Sequence, residues 1–167
     1  VGPNIAAQSA AELLREFTGA DAAFIHAGFF RGAPSRDDLG ANLSYPSDGV
    51  AKLNLTGEQI RQALEFSVSM YPDSNFSFLQ LSGLEVVFKR GAPADHRIVG
   101  VTLNGSPLDG GHVYSVAMPS LLARGAVGYL KYWGKTPPAK EFGPTTMEDI
   151  LKGKKASDGG PHWVAQN

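Results

Sequence analysis

The chain has 167 residues, 43% of them hydrophobic, enough to fill the core of one ordinary domain. Its 15 basic residues face 16 acidic ones, a balance that argues against nucleic acid as the main partner. With no cysteine, disulfides and thiolate chemistry are excluded. No apolar run approaches the roughly 18 residues that span a bilayer, and a start at Val1 without a signal-peptide pattern predicts a processed chain or an excised domain.

In chain order, Ala10, Leu13, Leu14 and Phe17 recur at helical spacing, with Pro3 and Asn4 as starters and Gly19 placed to end the helix. Ala22 to Ile25 reads as a buried strand running into the loop His26–Gly32. Ser35 with Arg36, Asp37 and Asp38 predicts a short capped helix ahead of the Tyr45–Gly49 turn. Val50 to Leu55 alternates like a half-buried strand, and Thr56-Gly57-Glu58-Gln59 matches a capping box that opens a helix buried through Ile60, Ala63, Leu64 and Val68.

A β-rich stretch follows: Phe78 to Leu81, then Leu84, Val86 and Phe88, then Ile98, Val101 and Leu103. Asn104-Gly105 signals a hairpin, with Val113 to Ala117 as the returning strand. Short helices are expected at Pro119–Arg124 and Thr146–Leu151. Helices beside hairpins predict an α+β, layered α/β domain with a mixed sheet flanked by helices. One domain is expected over 1–152, and the Lys/Gly/Ser/Asp-rich end, 153–167, is expected to be a loose tail.

Chemistry is sparse. His26, His96, His112 and His162 show no ligand spacing, so scattered surface or turn histidines are expected and no metal site. No GxSxG elbow or local triad is present, and no catalytic residue is assigned. Three segments suit binding instead. Gly28 sits in a loop after a strand and would let backbone amides approach an anion, with Arg31 as a fixed fork for carboxylate or phosphate; alternatively Phe29 and Phe30 plug the core while Arg31 pairs with Asp37 or Asp38. Phe76 and Phe78 beside Gln80 would stack on a planar ring and read its edge, or simply alternate into a core. Gly125 and Gly128 after Leu121 mark a tight turn.

The order of these segments resembles the C-terminal domain of the 5′-nucleotidase family, over about Asn4 to Tyr132. Gly19-Ala20-Asp21-Ala22-Ala23 followed by His26-Ala27-Gly28-Phe29-Phe30-Arg31 is similar to the family's "GAD-A…NGGxR". Leu53–Ile60 is similar to its "ltGxql" step, Phe78–Leu84 to "FLQvSGl", and Asn104–Asp109 to "nGxpld". Tyr114–Ala117 with Gly125–Tyr129 is similar to "Y-vA…GGDGY".

The resemblance implies a substrate-recognition domain for a nucleotide or nucleotide-sugar ligand, its base clamped between two aromatic rings. It implies that hydrolysis, with two divalent metal ions, belongs to an N-terminal metallophosphoesterase domain in the same or another chain. It also implies a periplasmic or extracellular setting, and no cofactor in this chain. Phe78 matches the first stacking aromatic, Gln80 a base-contacting polar residue and Arg31 the loop arginine. Leu121 falls at the second aromatic and Val127 at the ribose-binding aspartate, while His26 replaces the loop asparagine and Tyr45-Pro46-Ser47-Asp48 stands for "PFGN". A base-sized slot beside Phe78, faced by Arg31, is the expectation; the alternative is a non-catalytic interaction module that kept the fold and lost the pocket.

Overall fold

A computed structural model describes residues 3–157 and 162–167. Helix α1 (Ile5–Thr18) leads into strand β1 (Ala22–His26); a long loop reaches β2 (Val50–Thr56) and helix α2 (Gly57–Val68). Strands β3 (Leu79–Ser82), β4 (Leu84–Lys89), β5 (Ile98–Leu103), β6 (Ser106–Pro107) and β7 (Val113–Pro119) follow. The chain closes with α3 (Ser120–Ala123), α4 (Leu130–Trp133), β8 (Lys140–Glu141), α5 (Met147–Leu151) and β9 (Trp163–Gln166). No helix among the described residues is long and apolar enough to cross a membrane.

Two sheets result. The five-stranded one runs β3-β1-β7-β2-β8, and within it only β1 and β7 are parallel, with Ala22 opposite Val116 and Ala23 opposite Ala117. The four-stranded one runs β6-β5-β4-β9, with β4 and β9 parallel. Strand β1 is buried along its whole length because both faces are covered. Ala23 and Ile25 meet α1 and α5, while Ala22 and Phe24 join the larger core with α2 and the second sheet. The mixed sheets and flanking helices form the expected α+β architecture.

Local signals act as anticipated at several points. Asn4 caps α1 by accepting from the Ala7 amide at 3.0 Å, and Thr56 with Gln59 forms the reciprocal capping box of α2. The buried face of α1 is turned away from the stripe that the periodicity implied, however. Ala6, Ala7, Ala10, Ala11 and Leu14 press it against the sheet, whereas Phe17 stays exposed and meets Phe142 at its rim. Small side chains let the helix axis approach closely, which rotates the bulkier stripe outward.

Three expectations are corrected. No helix forms at Ser35–Asp38, because the Ser35 hydroxyl takes the Asp38 amide and the Asp38 carboxylate accepts from Gly40 and Gly153. Asn104 and Gly105, both at positive φ, do turn the chain, but the returning strand is the short β6. Strand β7 crosses to the other sheet, between β1 and β2. The end of the chain is no loose tail: β9 pairs with β4 from Val86↔Trp163 to Lys89↔Gln166, and Trp163 is buried in the core. One large aromatic side chain outweighs the polar composition around it. Residues 158–161, inside that expected tail, lie outside the described residues.

Candidate ligand-binding site

The parallel pair sets the geometry. Because β1 and β7 run the same way, the segments that leave their carboxyl ends emerge at one edge, where open α/β sheets place ligands. Strand β2 is antiparallel to β7, with Val50 opposite Pro119, so the turn preceding β2 arrives at that edge too. Three segments therefore converge: the loop after His26, the turn Ser44–Asp48, and α3.

Hydrogen bonds fix this convergence. Ser44 donates its amide to the Phe29 carbonyl at 2.8 Å and its hydroxyl to the Gly28 carbonyl at 3.1 Å. The Ser120 amide donates to the Gly49 carbonyl at 3.0 Å, and the Leu121 amide to Asp48 Oδ2 at 3.1 Å. From below, the first turn of α5 grips the same turn: Met147 and Glu148 donate to the carbonyls of Asp48 and Pro46 at 2.8 and 3.1 Å. Ser44, Tyr45, Pro46, Ser47, Asp48 and Leu121 line an open hollow of about 400 Å³. Tyr45 is 52% exposed there, backed by the Phe29 ring at 6.4 Å. Half-burial raises the Asp48 carboxyl above its ordinary value, against the pull of amide bonds from Leu121 and Gly49 and the nearby charge of Arg124.

Of the residues expected from the sequence to contact substrate, only Leu121 lines this hollow. Phe78 is 1% exposed, its ring 5.1 Å from Trp163 in the core, so the expected slot beside it does not exist. Gln80 is 1% exposed and its Oε1 accepts from the Asn4 amide, which commits that oxygen to holding the start of α1. The Ala27 and Gly28 amides are also taken, by the carbonyls of Phe78 and Phe76 at 2.7 and 3.0 Å. A Cβ on Gly28 would stand 3.1 Å from that of Phe76, so the glycine serves close packing and not an anion. Gly125 has φ 98°, and a Cβ there would reach 2.6 Å from the Leu130 Cα, again a backbone requirement. Arg31 is exposed, its amide donated to the Asn42 carbonyl, while Phe29 and Phe30 are buried.

A second hollow, about 290 Å³, lies at the start of α1 between Asn4, Phe30, Pro34, Phe76 and Gln80; Phe76 is 78% exposed beside it. His96 and His112 are exposed in bends, as expected of scattered histidines, and His26 departs from that expectation. His26 is 2% exposed, edge-on to Phe29 at 5.6 Å, with Nδ1 unpartnered, and burial lowers its pKa to about 4. Among the described residues, no group of three or more histidine, aspartate or glutamate side chains is placed to hold a metal ion.

In the sequence Tyr45 and Asp48 stand out only as part of a turn that departs from the family's "PFGN", not as candidate ligand groups. Their segment is legible as a turn, and its meeting with Leu121 depends on the crossover of β7 between β1 and β2, which no local pattern displays.

Comparison with known proteins agrees with the architecture. The family model described as 5′-nucleotidase, C-terminal domain, matches residues 3–132. A "5′-nucleotidase-related protein" of Glossina morsitans morsitans is 32% identical over 151 residues, 81% of this chain and 27% of that protein. The crystal structure of a 5′-nucleotidase precursor from Thermus thermophilus superposes with a TM-score of 0.81 at 21% identity, covering 99% of this chain and 36% of that one. The NAD nucleotidase of Haemophilus influenzae gives a TM-score of 0.69 at 18% identity, over 98% of this chain and 33% of that one. The chain thus spans about a quarter to a third of the relatives it matches.

Proposed function

We propose that this chain, which belongs to the family of 5′-nucleotidase C-terminal domains, recognises the nucleoside part of a nucleotide or nucleotide-sugar substrate in the hollow between Tyr45 and Leu121. The observation that carries this reading is the meeting of the Ser44–Asp48 turn with Leu121 at the carboxyl edge of β1 and β7. An exposed aromatic ring there offers a face for a base, worth about 1–3 kcal/mol. Leu121 offers an apolar wall opposite, and Asp48 a polar group at the floor.

The described residues do not fit a metal ion, so hydrolysis is assigned in this proposal to a metal-bearing N-terminal domain. A periplasmic or extracellular setting belongs to the same reading. Calorimetry with AMP, GMP, UMP, UDP-glucose and adenosine tests it. Saturable binding lost in Tyr45→Ala is the expected result; silence across the panel, or binding indifferent to Tyr45, overturns it.

A second reading has its own support. Val127 stands at the position where the family resemblance implies a ribose-binding aspartate, and it cannot accept a hydroxyl's hydrogen bond. That favours a non-catalytic interaction module, for which silence in the same calorimetry is the expected outcome.

A further inference from the structure

The hollow contains few groups able to choose between bases. Pro46 has no N–H, and its carbonyl is taken by the Glu148 amide. The Tyr45 carbonyl accepts from the Asp48 amide, and the Ser44 amide and hydroxyl are both donated inward. The Ser47 hydroxyl can donate or accept and so discriminates little. Asp48 is the one lining residue of the six that carries a charge.

An ionised carboxylate accepts only, through about four lone-pair sites on two oxygens. Amides of Leu121 and Gly49 occupy part of that capacity and fix the group's orientation. The remaining capacity can be met by donors alone; burial raises the carboxyl's pKa, and the two amide bonds and the charge of Arg124 oppose that rise. Asp48 lines the same hollow as Tyr45, so a base laid on that ring with its hydrogen-bonding edge turned inward would meet this group. Guanine offers two adjacent donors, N1–H and the 2-amino group, which match the two oxygens of a carboxylate side by side. Adenine offers one amino donor beside a bare ring nitrogen, whose lone pair would face the carboxylate. Uracil offers one N–H flanked by two carbonyl acceptors.

We propose that Asp48 makes this hollow selective for a base with paired N–H donors, guanine before all others. The inference rests on the reading of the hollow as the base site.

Isothermal titration of the full chain with GMP, IMP, AMP and UMP tests it. The order expected is GMP, then IMP, which lacks the 2-amino donor, then AMP and UMP, with GMP favoured over AMP by about tenfold. Asp48→Asn keeps an acceptor for the Leu121 amide, and an unchanged thermal melt would show it folded. It is expected to lose the GMP preference, so that the ratio of GMP to AMP affinity falls toward one. If the nucleotides bind with AMP equal to or tighter than GMP, or if Asp48→Asn leaves the order unchanged, this inference falls and the base site stands. If none binds, both fall together.

Discussion

The indole Nε1 of Trp163 donates to the backbone carbonyl of Leu79 across 2.9 Å, a bond that spans 84 residues and ties the last strand to the first sheet. The same ring lies 5.1 Å from Phe78 and edge-on to Phe88 at 5.7 Å. Residues near the chain's end therefore complete the core where the two sheets meet.

Trp163→Ala is expected to cost about 3–5 kcal/mol, the usual range for deleting a buried large aromatic. Trp163→Phe keeps most of the apolar contact and loses the hydrogen bond, so it should cost about 1–2 kcal/mol. Urea unfolding of both variants checks this. Equal midpoints for Trp163→Ala and the parent would mean that β9 is dispensable.

Burial gives His26 a distinct pH signature. Its pKa falls from 6.5 to about 4, so between those values the unfolded chain binds a proton that the native chain refuses. Stability should therefore decline as pH falls through 6.5 toward 4, by about 3 kcal/mol in all. His162, whose pKa is also lowered, adds to the decline with the same sign in this range, whereas the lowered carboxyl of Glu12 adds its share below about pH 4.5. In His26→Asn their shares remain and that of His26 disappears. Unfolding midpoints at pH 7 and pH 4.5 for both proteins isolate the difference; parallel profiles would show that His26 is solvated after all.

Much of the fold can be read from local pattern, and the site cannot. The capping box at Thr56 and Gln59, the Asn4 cap and the Leu53–Leu55 alternation depend on neighbours within four residues, so sequence displays them directly. Phe78 misleads because an aromatic beside a glutamine looks the same whether it faces a ligand or Trp163, 85 positions away. The chain's end misleads for a related reason: its polar composition dilutes one tryptophan, whose partner strand β4 is remote in sequence. Tyr45 and Leu121 meet only because β7 inserts between β1 and β2.

Val127 sits at φ 50°, in the left-handed region that β-branched residues avoid, held there by the Ser77 hydroxyl on its carbonyl at 2.5 Å. Aspartate tolerates that conformation better than valine does. Val127 is also partly buried against the main core, so Val127→Asp sets lost packing against relieved strain and is expected to shift stability by no more than about 1 kcal/mol. In the proposed function it would also restore an acceptor for a ribose hydroxyl and tighten nucleotide binding. Thermal melts and calorimetry on the same variant read the two effects separately; a loss of more than about 1 kcal/mol would show that the valine side chain packs productively.

The sharpest contrast sets Phe78 against Tyr45. Phe78 lies wholly inside, so Phe78→Ala should cost about 3–5 kcal/mol of stability. Phe78→Leu, which keeps an apolar filling, should cost less and leave nucleotide affinity unchanged. Tyr45 is half exposed, with its ring 6.4 Å from that of Phe29, so Tyr45→Ala should shift stability by no more than about 1 kcal/mol. Its expected effect is on binding, a weakening of about tenfold or more as the stacking face is lost. Chemical unfolding and nucleotide titration on Phe78→Leu and Tyr45→Ala separate a core ring from a site ring. Binding abolished in Phe78→Leu with a native melt, and untouched in Tyr45→Ala, would return the ligand to the strand end where the family resemblance first placed it.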